Sequence, residues 1–143
     1  MSYTRVNWEN LPSTNTPLNA TNLNKMDKGI ADLYPTNWTN ATLTSKLKGT
    51  GIIRYNKIGN IVIVNFADIE ANSSIASHAD ILATGLPNSN IYLVSALFNY
   101  ATPSKPIRIA ITTDGKVQTH YSNDFTASEA TAFYGTIVYI TNQ

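Results

Sequence analysis

Residues 51–66 read GIIRYNKIGNIVIVNF, two apolar runs on either side of a Gly-Asn pair. Both runs are rich in isoleucine or valine and each contains an aromatic residue, and such side chains favour β-strands. Gly59 and Asn60 are residues that tight turns between strands prefer. The segment therefore predicts a β-hairpin, and from residue 49 onward the sequence has the pattern of an all-β domain.

Further strand patterns follow at short intervals along the chain. Isoleucine alternates with smaller or more polar residues over 107–112, which predicts a strand with one buried face. An Asp-Gly turn at 114–115 leads into a returning strand at 117–121 and so predicts a second hairpin. Residues 91–100 and 133–141 also have strand patterns. Short strands joined by tight turns predict a mainly β fold, with an antiparallel β-sandwich or barrel-like head domain.

A short amphipathic helix is predicted before the β domain. Thr16 is a suitable N-cap with Pro17 at the first helical position, and Pro35 stops the helix. The apolar stripe on one face of this helix consists of Leu23, Met26, Ile30 and Leu33. An isolated helix of this length is marginal in water. The stripe must therefore pack on the β domain or on copies of itself, and it suits a dimer as well as a trimer.

The sequence divides into three predicted parts. Residues 1–35 form an N-terminal attachment arm with the oligomerisation helix, residues 36–48 a connector, and residues 49–143 the β head domain. The first residues lack the apolar core of a signal peptide, and the longest apolar run, at 61–64, is far too short to span a membrane. We therefore expect a soluble product made in the cytoplasm, without membrane insertion.

Composition limits the possible partners. The chain has 143 residues, a formal net charge of +1 and a charged fraction of 13%, against about 25% in typical proteins. This near-neutral balance does not favour nucleic-acid binding. The absence of cysteine excludes disulfides, thiol nucleophiles and cysteine-ligated zinc. A surface of hydroxyls, amides and aromatic rings suits neutral partners such as sugars, although it is equally typical of an ordinary β protein.

No catalytic or metal-binding motif is found in the sequence. There is no G-x-S-x-G elbow and no glycine-rich phosphate loop. His78 and His120 lack the spacing of paired metal ligands. Among nine acidic residues, no pair can be singled out as the two carboxylates of a glycoside hydrolase. We therefore expect no enzymatic activity, no metal and no cofactor.

Aromatic residues are the remaining candidates for a binding role. Several lie at predicted strand ends or in loops, where their rings can stack on a saccharide while neighbouring polar groups bond to its hydroxyls. The candidate ligand-binding residues are Trp38, Tyr92, Arg108, His120, Tyr121 and Asp124. The alternative for most of the tyrosines is burial within strands.

Two parts of the chain resemble a known family. Residues 8–30 read WENLPSTNTPLNATNLNKMDKGI. This is similar to the N-terminal segment of tail-fibre and baseplate proteins from phages and prophages of Gram-positive bacteria, which often read W-x-N-x-P-S-T-x-T-P-L-N-A-x-N-L-N before a Met-acid-x-Gly-Ile helix. Residues 53–62 (IRYNKIGNIV), with 83–87 (ATGLP) and the Asp-Gly pair at 114–115, resemble the head domain of phage receptor-binding proteins.

This resemblance implies a homotrimer located in the virion. The N-terminal segment, here residues 1–17, would attach to other tail or virion proteins, and the β head would bind a host cell-surface saccharide, often near the subunit interface. The chain departs from the family in having no long shaft between arm and head. That departure leaves open a purely structural role in the baseplate, in the neck or as head decoration. A tail-associated hydrolase is the third hypothesis.

Overall fold

The computed structural model describes residues 20–35, 37–121, 124–129 and 132–141. Within these ranges the chain forms one helix followed by nine strands. The helix α1 spans Ala20–Ala31. The strands are β1 (Thr39–Asn40), β2 (Thr42–Leu43), β3 (Ile52–Ile58), β4 (Ile61–Ile69), β5 (Ile81–Thr84), β6 (Leu93–Asn99), β7 (Ile107–Ile111), β8 (Val117–Thr119) and β9 (Phe133–Ile140).

The nine strands form one antiparallel sheet that curls into a nearly closed barrel. Their order is β1-β3-β4-β9-β6-β7-β8-β5-β2, so the two ends of the sheet are β1 and β2. Ala41 alone separates these two strands in sequence, and its N–H donates to the Ile53 carbonyl at 2.8 Å. The chain itself therefore joins the two ends of the sheet. The predicted fold class, mainly β with a short N-terminal helix and a barrel-like head, is confirmed.

Both predicted hairpins are present. β3 pairs with β4 along the whole length of β3 through the turn at Gly59 and Asn60, and β7 pairs with β8 through the Asp-Gly turn. Gly115 has a φ of +75°, and a Cβ there would lie 2.1 Å from the Leu86 carbonyl oxygen. The turn therefore needs glycine both for its backbone conformation and for space. β1 and β2 lie within the segment predicted as a connector.

The core fills the inside of the barrel. On β9 the side chains alternate as predicted, with Ile137 and Tyr139 inside and Val138 outside. The rings of Phe125 and Phe133 meet edge to face at 5.5 Å between centroids and are almost fully buried. Truncation of such a buried ring to alanine typically costs about 3–5 kcal/mol, so this packing is a main source of stability.

The helix contacts the barrel at its C-terminal end. The Asp32 carbonyl, just past α1, accepts a hydrogen bond from the Gly59 N–H at 2.9 Å. The helix ends before Pro35, as predicted, but it ends at Ala31, so Leu33 of the stripe lies in the turn that follows. The predicted cap at Thr16 and Pro17 lies outside the described residues. The four stripe residues are between 37% and 69% exposed, and no described part of the β domain covers them. Packing of the stripe on the described barrel is therefore not observed.

Candidate functional site

Four aromatic rings form an exposed cluster on one side of the barrel. His78 lies in the loop before β5, Tyr92 immediately before β6, and His120 and Tyr121 directly after β8. The rings of His78 and Tyr121 stack at 4.4 Å between centroids with 11° between planes. His120 meets His78, Tyr92 and Tyr121 edge to face at 5.6, 5.4 and 4.8 Å. We call these four residues the ring cluster.

Hydrogen bonds fix the orientation of the rings. The Gln118 side-chain amide donates to the Tyr92 hydroxyl oxygen at 2.6 Å, and the same hydroxyl lies 3.2 Å from Nδ1 of His120. The Tyr92 hydroxyl therefore links the Gln118 side chain to the His120 ring.

Two charged residues adjoin the ring cluster. Arg108 points outward from β7, and its backbone carbonyl accepts from the His120 N–H at 3.0 Å. Asp124 accepts a hydrogen bond from the Ser77 N–H at 2.6 Å, next to His78. A basic and an acidic residue thus adjoin residues of the ring cluster, and both residue types suit contacts with saccharide hydroxyls.

The loop that carries His78 is held by an ion pair. Asp80 Oδ2 accepts from Lys46 Nζ at 2.9 Å and from the Ala76 N–H at 2.7 Å. Burial alone would raise the pKa of Asp80, but the hydrogen bonds from Ala76 and Lys46 outweigh burial and lower it. Asp80 therefore keeps its charge and holds the loop to the strands. Along the same loop lies a pocket of about 380 Å³, lined in part by Lys46, Ala76 and Asp124.

The structure brings most of the predicted ligand-binding residues together. Tyr92, His120 and Tyr121 are in the ring cluster, and Arg108 and Asp124 adjoin it. Trp38 is elsewhere, beside β1, with the Arg54 guanidinium carbon 4.7 Å from its ring centroid. Whether these residues bind a ligand stays a prediction.

Two residues of this region, Gln118 and His78, are not among the predicted ligand-binding residues. Side chains alternate along β8, where Val117 and Thr119 point into the core. Gln118 and His120 therefore point outward. That alternation was a usable signal for Gln118. His78 gave no such signal, because only the folded chain brings it beside Tyr121, which is far away in sequence.

Within the described residues, the acids do not form a metal-binding group. No cluster of three or more His, Asp or Glu side chains suited to a metal is found there. Glu129 is hydrogen-bonded to Lys105 and to Thr126, which lowers its pKa to about 2, and Glu70 pairs with Lys48 at 2.8 Å. A carboxyl with so low a pKa is unsuited to act as a general acid near neutral pH.

A second exposed surface is formed by side chains on the outer face of β4 and β9. Ile61 faces Ile140 and Ile63 faces Val138 across the two strands. Three of the four are between 46% and 58% exposed, and Ile63 is half-buried. We call these four residues the sheet-face patch. It begins next to Gly59, whose N–H is bonded to the Asp32 carbonyl just past the end of α1.

Solved structures show what the fold resembles. The chain is similar to the receptor-binding head domain of lactococcal phage bIL170, with a TM-score of 0.53, 16% identity, and coverage of 73% of this chain and 97% of that domain. It is also similar to the receptor-binding protein gp15 of Listeria phage PSA, with a TM-score of 0.54, 17% identity, and coverage of 90% and 83%. No protein-family model and no curated protein sequence matches the chain.

The resemblance to receptor-binding proteins of phages of Gram-positive bacteria is confirmed at the level of the fold. In the part of the chain that the structure describes, no helix is long and apolar enough to cross a membrane.

Proposed function

We propose that the chain is a virion receptor-binding protein of a phage or prophage of Gram-positive bacteria, and that it binds a host cell-surface saccharide without catalysis. The observation that carries the proposal is the exposed ring cluster on a fold shared with phage receptor-binding domains. It acts from the tail or baseplate, where an adhesin meets the cell surface.

The geometry of the ring cluster supports saccharide binding. Tyr121 is 66% exposed, so much of its surface is open to the apolar face of a sugar ring. The Nε2 of His120, the Arg108 guanidinium and the Asp124 carboxylate supply donors and acceptors around that surface. A saccharide longer than one unit could extend from the rings toward the pocket beside Lys46.

The active form in this proposal is a homotrimer. The helix stripe and the sheet-face patch together expose seven large apolar side chains, and the eighth member, Ile63, is half-buried. Exposed apolar surfaces of this kind are typical of protein–protein contacts. Residues 1–17 would attach the trimer to other tail or virion proteins.

The test is binding of the intact protein to purified cell-wall polysaccharide from susceptible bacteria, measured by surface plasmon resonance. Because ring stacking contributes about 0.5–1.5 kcal/mol, we expect Tyr121→Ala to weaken binding by roughly two- to tenfold per site. Tyr34→Ala is the matched control, since Tyr34 is also an exposed tyrosine and lies outside the ring cluster.

Three results would contradict the proposal in different ways. No binding of the intact trimer to host polysaccharide would leave a purely structural virion component. In that case deletion of residues 1–17 should abolish incorporation into particles and leave the head folded. Release of sugar from the polysaccharide would identify a hydrolase. Equal binding by Tyr121→Ala and Tyr34→Ala would place the saccharide elsewhere on the head.

A further inference from the structure

A second group of exposed aromatic rings lies where the end of β6 meets β9, whereas Tyr92 of the ring cluster precedes the start of β6. Phe98 and Tyr134 are direct cross-strand partners on the outer face of the sheet. Tyr100 lies two residues beyond Phe98 on the same side, and its N–H donates to the Ala132 carbonyl at 3.2 Å. The three rings are 53%, 36% and 73% exposed, in the order Phe98, Tyr134, Tyr100. They are therefore open to a ligand.

A β-bulge brings a carboxylate to these rings. The register between β4 and β9 shifts between Phe66 and Ile69, and Asp68 within the bulge has a φ of +51°. The Tyr134 hydroxyl donates a hydrogen bond to Asp68 Oδ1. Such bulges and positive φ values at non-glycine residues occur preferentially at functional sites. Here the bulge serves to direct an acidic side chain to an aromatic surface.

None of the ion pairs between described residues includes Asp68. Glu70, the nearby acid, is paired with Lys48 at 2.8 Å. The hydrogen bond to Asp68, burial and the charges of Asp68 and Glu70 raise the pKa of Tyr134, so its hydroxyl remains a neutral donor. The site therefore holds one negative charge among three rings.

We propose that Phe98, Tyr100, Tyr134 and Asp68 form a second binding site, which takes a protonated amine. The faces of aromatic rings attract cations, and a nearby carboxylate adds charge complementarity. The ring cluster differs, since it contains two histidines and adjoins Arg108. The amine is that of an unacetylated amino sugar on the host surface. This last identification rests on the proposed receptor-binding function, whereas the amine chemistry does not.

The test uses two sugars with the same ring that differ in charge. Glucosamine carries a protonated amine, and N-acetylglucosamine carries a neutral amide. We expect glucosamine, titrated into the ¹⁵N-labelled full chain, to shift the amide signals of residues 68, 98–100 and 134. N-acetylglucosamine should bind at least about fivefold more weakly, because it gains neither the cation–π nor the ionic contribution.

Asp68→Asn is the decisive variant. Asparagine accepts a positive φ and still offers an oxygen to Tyr134, so the bulge should be retained. We expect this variant to weaken glucosamine binding by about three- to tenfold and to leave N-acetylglucosamine unaffected. Asp27→Asn, which removes an exposed carboxylate from the helix, is the matched control and should change neither.

The outcomes separate this proposal from the receptor-binding one. Equal binding of both sugars, or unchanged glucosamine binding by Asp68→Asn, would overturn the amine site while leaving polysaccharide binding at the ring cluster intact. Glucosamine binding that depends on Asp68, without binding to host polysaccharide, would keep the amine site and contradict the receptor-binding function. If Phe98→Asp lowers the oligomer mass and glucosamine causes no shifts, the rings belong to a contact between copies and the amine site is wrong.

Discussion

Two outward-facing surfaces of this molecule are both rich in large side chains, and they differ in what surrounds those side chains. The sheet-face patch is made of aliphatic residues, and its four members offer no hydrogen-bonding side chain and no charge. The ring cluster is made of histidines and tyrosines, which are bonded to one another and to Gln118, with Arg108 and Asp124 adjacent.

The difference indicates what each surface can bind. An aliphatic surface gains free energy mainly by leaving water, so it suits another apolar protein surface such as a copy of the same chain. Rings interleaved with donors and acceptors can bind a hydrated ligand without leaving its hydroxyls unpaired. The helix stripe belongs with the first surface, because it too is exposed and aliphatic.

The largest expected effect comes from placing a charge in the helix stripe. Ile30→Asp puts a carboxylate where apolar side chains of neighbouring copies would meet, and the cost of burying an unpaired charge should prevent assembly. We expect the mass measured by multi-angle light scattering to fall from that of a trimer to that of a monomer. Asn24→Asp, off the stripe, should remain a trimer.

Two results would remove the contrast between the surfaces. A monomeric mass for the unmodified protein would show that neither aliphatic surface is covered by another copy. A trimer that Ile30→Asp leaves unchanged would show that the stripe does not hold the copies together. A dimeric mass would keep the role of the stripe and correct the number of copies.

A smaller effect is expected from the sheet-face patch. Val138→Asp should weaken the trimer, measured as about a tenfold or larger rise in the concentration at which it dissociates, because an acid would face the aliphatic side chains of another copy. Val94→Asp is a close control, since Val94 is also an exposed strand valine and lies outside the patch. Equal behaviour of the two variants would restrict the assembly surface to the helix.

The smallest expected effect is a loss of thermal stability at acid pH, caused by protonation of Glu129. Hydrogen bonds from Lys105 and Thr126 lower the pKa of Glu129 to about 2, well below its ordinary value of 4.5. A lowered pKa in the folded state stabilises the fold above the ordinary value, and this stabilisation is lost as the pH falls from about 4.5 to about 2. The melting temperature should therefore fall over that range.

Glu129→Gln tests the origin of this acid dependence. The variant cannot ionise, so its melting temperature should fall less steeply between about pH 4.5 and about pH 2. Since the Lys105–Glu129 pair is exposed, we expect a modest change. An identical slope in the variant and the unmodified protein would assign the acid dependence to the other lowered carboxyls, Asp80 and Asp114.

The local parts of the fold were predictable from the sequence. β-branched runs around a Gly-Asn turn predict the hairpin at 51–66. An alternating pattern around Asp-Gly predicts the hairpin at 107–119. In both cases the information lies within neighbouring residues. The position of β9 between β4 and β6 is not local in this way, and no pattern in residues 133–140 indicates which strands they pair with.

A site residue was predictable where its own type and its position near a strand end indicated a binding role. Aromatic or polar character near predicted strand ends indicates Tyr92, His120 and Tyr121, and the structure brings these three residues together. Asp68 had no such signal, because its contact with Tyr134 depends on a bulge and on strand pairing over a long sequence separation. Residues 1–17, the predicted attachment arm, lie outside the described residues.

The central place of β9 also affects the order of events during synthesis. The helix is made first, whereas the strand that joins β4 to β6 is made last among the described elements. Contacts between residues far apart in sequence form slowly, because a long loop must close before they form. If copies associate through their helix stripes, as proposed, nascent chains would meet while their heads are still unclosed, and each head would then have to capture its own last strand and not a neighbour's.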